Sequence, residues 1–486
     1  MDLEKLTKEE RETLAKIEEK LSHYKIRKIL SSSFSEIDRF QNTTTYKCKI
    51  DDCKLEEDCT FRLNKQDRQI IFTSSSNYFE KQGKLITVCF FTDDVNYKCE
   101  DSIIKSISFD LPIPVYTVDL SNIKKGTPSK YFRMLLPIDN SLNLINLFDT
   151  CGYRIDKYGV SSGLMIVNSE TCEYHIYEEK FHNQLYLIID SMNEITYDAF
   201  YNYTLNILLA LGVLTGSFIQ DQCYIISSED NNFEQLNYFE FKPLRESKKA
   251  TYNVLPTNPH LYFEPKDADS KRDMMAHINS EQFLTLINCM TESKILFNAL
   301  FIFVESYSYP LDTKPACLSV VLEGLYQFLE KRIDDKFRPI KDLNQADKLR
   351  NDLLSKLTDY EPYFEPTYGK TTIQNKINDL NKLSNTAGFQ KAFELFNIQL
   401  KEYEKETLKN RNSFLHCNEK IYDKHILTKS YPEEFANIYF TEENLTKLLY
   451  ILILKIIGYE GYVVNIPRIN SDIFETVKDE DLLIKI

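Results

Sequence analysis

Leu255-Pro-Thr-Asn-Pro-His-Leu-Tyr-Phe-Glu-Pro-Lys-Asp-Ala-Asp-Ser270 sets three prolines among polar residues, and the character of the chain changes across it. Proline fixes φ and removes a backbone donor, so Pro256, Pro259 and Pro265 read as the boundary between two domains, residues 1–260 and 270–486. Upstream, β-branched and aromatic runs alternate with Asn, Asp, Ser and Gly clusters, the pattern of short strands. The runs are Tyr46–Ile50, Gln69–Thr73, Leu85–Phe91, Ile103–Val118, Tyr131–Pro137, Leu164–Asn168 and Gln184–Asp190. Tyr197–Leu214 is apolar on most sides and predicts a buried helix, with strands expected at Cys223–Ser227 and Leu236–Lys242.

Downstream, apolar residues recur at helical spacing. One helix is expected over Phe283–Glu305, and another follows Pro315 with Leu318, Val321, Leu322, Leu325, Phe328 and Leu329. Further helices are predicted over Leu343–Leu357, Ile373–Leu383, from Phe389 to about Asn418, and over Thr441–Ile457 with Thr441 as a candidate cap. The fold class is α+β: a β-rich N-terminal region followed by an all-α bundle of five or six helices.

At 486 residues the chain exceeds the size of a single core, and 43% hydrophobic with 27% charged residues is the composition of a folded protein. A net charge of −14 argues against a protein that coats nucleic acid by bulk electrostatics, and leaves room for an acidic enzyme with a small basic site. The first thirty residues mix both charge signs and lack an apolar core, which argues against a leader; Leu6, Leu14, Ile17 and Leu21 read as one helix face. The apolar runs 205–219 and 448–457 are too short or interrupted to span a bilayer, so no membrane partner is expected. Eleven scattered cysteines fit reduced thiols and a cytoplasmic location. Cys48, Cys53 and Cys59 lack the spacing of a zinc site, and neither a metal nor another cofactor is expected.

From Phe389 the apolar residues Ala392, Phe393, Phe396, Leu400 and Tyr403 define one helix face, and continuing it through Thr407 reaches Arg411. A guanidinium in such a seam is rarely placed without a partner or a task. His416 follows five residues on, about 140° round an ideal helix, and Asn412 lies one turn before it on the same face. Arginine with histidine suits RNA cleavage without a metal, because RNA carries its own nucleophile, the 2′-hydroxyl. Histidine titrates near neutrality and can move the protons. Arginine holds the phosphate and stabilises the charge that builds on it. Asn412 is placed to orient the histidine or bind a phosphate oxygen. A symmetric dimer supplies the second proton-transfer group that one copy lacks.

Arg411, Asn412 and His416 on a late helix resemble the signature of the HEPN family of helical-bundle ribonucleases. The Leu318–Ile333 segment, with Leu-Glu-Gly-Leu-Tyr around Glu323, is similar to an earlier helix of large HEPN proteins of bacterial defence, ApeA-like ones included. Ala210-Leu-Gly-Val-Leu-Thr-Gly216 is similar to their N-terminal part. The chain departs from the common pattern in carrying Cys417 where glycine often follows the histidine. The resemblance implies an all-α HEPN-like domain and a metal-independent endoribonuclease, used in antiviral abortive infection or as a toxin. It also implies a homodimer with an RNA substrate; the two-part architecture suggests that the N-terminal region senses a phage-derived or small-molecule trigger or presents substrate. Lys405, Lys409 and Lys420 are candidate RNA contacts, set against a solvated face, and Glu323 is a candidate partner for Arg411.

Two other readings compete. One is a non-catalytic HEPN-like scaffold that regulates a partner through its acidic surface. The other is a metal-dependent nuclease in the N-terminal half, built on Asp221 and Glu240-Phe-Lys242, although a half-exposed strand has the same alternation. His175, His182, His260, His277 and His425 show no ligand-like spacing. Phosphate-cradling glycine loops, the zinc-protease motif and the nucleophile elbow are absent.

Overall fold

The computed structural model describes residues 27–43, 45–51, 53–63, 68–73, 78–92, 95–109, 113–155, 159–244, 251–252, 277–411, 433–470 and 473–486. The protein is α+β: a large antiparallel sheet in the N-terminal half, then helices. It divides into two compact units, Met1–Asn253 with His277–Ile287, and Val254–Ala276 with Asn288–Ile486.

In the first unit β1 (Arg27–Lys28) leads into α1 (Ser31–Asn42), and six strands follow. These are β2 (Thr45–Ile50), β3 (Cys53–Leu63), β4 (Arg68–Thr73), β5 (Leu85–Phe91), β6 (Asn96–Ser108) and β7 (Val115–Asp119). β7 pairs with β4 on one side and with the second half of β6 on the other, so the six close into an antiparallel barrel in the order β6-β5-β2-β3-β4-β7. Alternate side chains point inward, and Tyr46, Cys48, Ile50, Phe72, Val88, Phe90, Tyr97, Cys99, Tyr116 and Val118 are buried. The first half of β6 instead pairs with β8 (Asn122–Gly126), which carries the ladder out of the barrel into a second sheet.

That sheet continues through β15 (Leu236–Pro243), β14 (Gln222–Ser228), β9 (Tyr131–Ile138), β13 (Gln184–Ser191), β12 (Glu173–Phe181), β11 (Gly159–Asn168) and β10 (Cys151–Ile155) to β1, which pairs with β10 in parallel. α1 covers one face; its Phe40 meets Tyr97 of the barrel at 5.3 Å and Phe239 of the sheet at 5.1 Å, joining both to one core. α2 (Leu144–Leu147) is a single turn, and α3 (Tyr197–Thr215) covers the other face through Phe200 against Phe132. α3 starts at Thr196, whose Oγ1 accepts from the Ala199 amide, and ends at Gly216 with φ +74°, which glycine adopts without strain.

The expected run Ile103–Val118 is two strands, and β3, β8, β10 and β12 are strands that the sequence pattern does not reveal. Charged residues interrupt their apolar alternation, as the run Glu178, Glu179 and Lys180 does in β12, which masks the strand pattern. His277–Ile287 packs with the first unit, through an Ile278–Phe148 bridge and Phe283 stacked edge-on to Phe148, so that unit reclaims residues beyond the proline-rich stretch.

Between α1 and the sheet lies a buried charge network. Arg133 of β9 binds Asp190 of β13 with two nitrogens, Nε to Oδ1 at 2.7 Å and Nη2 to Oδ2 at 3.1 Å. Its Nη1 reaches the Ile29 carbonyl and Ser33 Oγ at the start of α1. Lys28 donates to Asp190 at 3.1 Å and to His175 Nδ1 at 2.6 Å, while His175 Nε2 meets Glu173 at 2.7 Å. The imidazole is therefore neutral with its proton on Nε2. Burial, then the neighbouring Lys28 charge, pulls His175 down to about 3. Burial likewise lowers Lys28 to about 8, against the pull of Asp190.

Unfolding restores the ordinary affinity of His175 for protons, so between pH 6.5 and 3 the unfolded chain binds a proton that the folded one refuses. Acid therefore destabilises this unit, by about 1.4 kcal/mol per pH unit at most from this histidine. A thermal melt series from pH 7 to pH 4 should fall steeply in the wild type and less so in His175→Gln; parallel curves would show that His175 does not set the slope.

The second unit is helical. α4 (Ser280–Glu292) begins in the first unit, and α5 (Lys294–Ser306) starts afresh at Ser293, whose Oγ accepts from the Leu296 amide. The single helix expected over Phe283–Glu305 is thus broken by a capping serine. α6 (Lys314–Arg332), with Pro315 in its first turn, is the centre of the unit. It crosses α5 closely enough that a Cβ on Gly324 would lie 2.7 Å from Ala299 Cβ. α7 (Leu343–Lys356) and α8 (Gly369–Asn378) follow; of the described residues in these two helices, Ala346 alone is buried. α9 (Asn385–Leu395), α10 (Glu402–Asn410) and α11 (Glu433–Ile456) complete the main helices. The helix expected from Phe389 to about Asn418 is two over its described part, which ends at Arg411, because Asn397 at φ +57° breaks it and Glu404 accepts from the Lys401 amide to start the next; the rest of the expected helix lies outside the described residues. Thr441 is not a cap: it lies inside α11 and its hydroxyl donates to the Asn437 carbonyl. No single helix among the described residues is long and apolar enough to cross a membrane.

Candidate active site

α10 places Tyr403, Thr407 and Arg411 on one face, four residues apart, Arg411 standing just past the last turn. Arg411 is 1% exposed. Its guanidinium carbon lies 4.0 Å from the centre of the Phe389 ring of α9, and Nη1 donates to the Leu408 carbonyl at 2.7 Å. Nη2 lies 3.7 Å from Glu323 Oε1 of α6, beyond hydrogen-bond range. Nε and Nη2 meet no acceptor among the described residues. Burial lowers the pKa of the guanidinium and Glu323 opposes that, but an arginine stays charged at any working pH. A buried cation with two open donors and one loose carboxylate is costly unless an anion completes it.

Beside it runs a polar seam between α10 and α11. Asn444 Nδ2 donates to Thr407 Oγ1 at 2.8 Å, one turn before Arg411, leaving Asn444 Oδ1 without a partner among the described residues. Asn437, on the same face of α11, has neither amide atom bonded among the described residues. Lys447 is fully buried against Glu404 at 2.5 Å and Tyr403 at 3.3 Å. Burial lowers Lys447 against the attraction of Glu404, and pushes Glu443, with Oε2 unpaired among the described residues, up to about 8. Sequence reasoning misses Asn437, Asn444, Lys447 and Glu443. Polar residues recurring along α11, among the apolar ones, are the signal that could have found them.

Phe389 packs edge-on to Tyr326 at 5.3 Å, and Tyr326 edge-on to Phe337 at 5.4 Å. Gly388 permits this, since a Cβ there would lie 2.5 Å from the tyrosine ring. Of the sequence candidates, Arg411 and Glu323 are thus brought together. Lys405 is half-exposed and pairs with Glu402 at 3.4 Å, and Lys409 is exposed at the end of α10. Asn412, His416 and Lys420 lie outside the described residues.

In the first unit Glu240 is fully buried, and its Oε2 accepts from Tyr197 at 2.5 Å, which ties it to the core below α3. No group of three or more His, Cys, Asp or Glu among the described residues is placed to hold a metal. Among the comparisons with known proteins, no family model, no curated protein and no solved structure matches this chain.

Proposed function

We propose that the chain is a metal-independent endoribonuclease of the HEPN type, acting as a homodimer in antiviral defence by abortive infection or as a toxin. The observation that carries this reading is Arg411, a fully buried guanidinium with two donors open among the described residues, placed five residues before His416. In the reaction the 2′-hydroxyl loses its proton to a base, O2′ attacks the adjacent phosphorus, and the 5′-oxygen leaves with a proton. The products are a 2′,3′-cyclic phosphate and a 5′-hydroxyl. Arg411 takes the non-bridging oxygens with Nε and Nη2, exchanging its loose approach to Glu323 for a phosphate. His416 moves the protons, with its copy in the second subunit as the other proton-transfer group. Asn412 orients the histidine or the phosphate, and the first unit receives the trigger.

The competing scaffold reading draws on Glu323, since a carboxylate beside a buried arginine also makes a structural pair. Total RNA incubated with the purified chain in excess EDTA separates the two. The nuclease yields fragments with cyclic phosphate ends; intact RNA, with and without candidate activators, refutes it.

A further inference from the structure

A groove of ≈ 570 Å³ opens where the end of α6 meets α7, α8 and the segments beside them. Its size is that of a small-ligand site. In a chain of net charge −14 its lining is biased the other way: Lys331, Arg338, Arg350 and Lys382 against Glu330 and Asp347. These cations come from separate parts of the chain. Arg350 pairs with Asp347 at 3.0 Å and Lys382 with Asp379 at 2.7 Å, both as exposed three-residue pairs of little net worth, which a phosphate can replace. α7 and α8 bury almost nothing, so they contribute a wall to this groove more than they contribute to a core.

The groove is also connected to Arg411. Glu323, Tyr326 and Glu330 follow at three- and four-residue steps on one face of α6. Glu323 stands beside Arg411, Tyr326 bridges Phe389 and Phe337, and Glu330 and Phe337 line the groove. Seven residues of helix separate the two ends by about 10 Å, a span that one nucleic-acid strand covers.

We infer that this groove is a backbone subsite for single-stranded RNA, holding phosphates a short distance along the strand from the one that Arg411 engages. The inference rests on the nuclease reading and adds to it a substrate class: a strand long enough to reach past the cleaved bond. Specific sequence is not read here, because side chains that contact phosphates position a strand without distinguishing bases.

The test uses the full-length chain carrying His416→Ala, so that RNA persists, with fluorescent oligonucleotides of about four and about sixteen residues. The longer RNA should bind at least ten-fold more tightly. Lys331→Glu, on an exposed side chain, and Arg350→Glu, on a half-exposed one, should each remove most of that advantage while leaving the short RNA unchanged. The slope of log affinity against log salt for the longer RNA should become shallower by about 0.7 for each phosphate that a variant no longer neutralises.

A length advantage that survives both charge reversals overturns the subsite. So does a poly-glutamate probe that binds in place of the longer RNA and is lost in the same variants, since the groove would then serve an acidic peptide. Cleavage by the wild type in EDTA is measured in parallel, with and without candidate activators. If cleavage holds and the length effect does not, the subsite alone fails; if cleavage itself fails, the nuclease reading falls and the subsite with it.

Discussion

His416→Ala is expected to abolish RNA cleavage, by about 10²-fold or more, while leaving the thermal midpoint unchanged. A positioned histidine contributes about 10²–10⁴-fold through proton transfer. Arg411→Met should be equally inactive for a different reason. Removing a transition-state donor costs about 10²–10³-fold. Yet the same change takes a fully buried cation, with two nitrogens open among the described residues, out of the protein and leaves an apolar chain against Phe389. Replacing poorly compensated buried charge with hydrophobic residues is often neutral or stabilising. The expected signature is therefore lost activity with an unchanged or raised melting temperature. A purely structural Arg411 would give the opposite: lower stability with cleavage per folded molecule intact. Arg411→Lys should fail as well, because an ammonium lacks the planar fork that aims two parallel donors at a phosphate while its face lies on a ring. Ordinary cleavage by His416→Ala would sink the mechanism.

Asp190→Asn is expected to unfold or severely weaken the first unit. Asp190 bonds to both Lys28 and Arg133, and it also accepts from Tyr177 at 2.9 Å. Its pKa lies well below the ordinary carboxylate range: burial works to raise it, and the charges of Arg133 and Lys28 overcome that. Without its charge two buried cations face each other uncompensated, a loss of about 3–5 kcal/mol. For a unit of this size that is a fall in melting temperature on the order of 10 °C. The triple change Lys28→Met, Arg133→Met and Asp190→Leu removes all three charges together and should cost less than Asp190→Asn alone. If the triple variant proves the worse of the two, the network stabilises by net attraction and not by mutual compensation. The effect should fall on the junction of α1 with the sheet, where Arg133 holds the Ile29 carbonyl and Ser33.

Much of this architecture follows from local pattern. Strand runs such as Leu85–Phe91 and Gln184–Asp190, and the apolar helix at Tyr197, follow from alternation and from three-to-four-residue spacing. Those signals belong to each segment by itself. Continuous apolar stripes hide the helix breaks at Ser293 and Asn397, because periodicity carries on across a cap that a single hydroxyl or one left-handed residue provides.

What belongs to the sequence alone is the division into a β-rich part and a helical part, and the placing of Arg411 on a buried helix face. Tertiary structure alone decided that six strands close into a barrel, because β7, a hairpin neighbour of β6, also pairs with β4 and so joins Gln69 to Asp119 and Thr73 to Val115, far apart in the chain. It also brought Lys28, Arg133, His175 and Asp190 into one buried cluster. Glu323 likewise meets Arg411, and Asn444 meets Thr407, only when helices pack. A local stretch encodes which face of an element is apolar; which charges face each other across that core is decided by the long-range packing that desolvates them together.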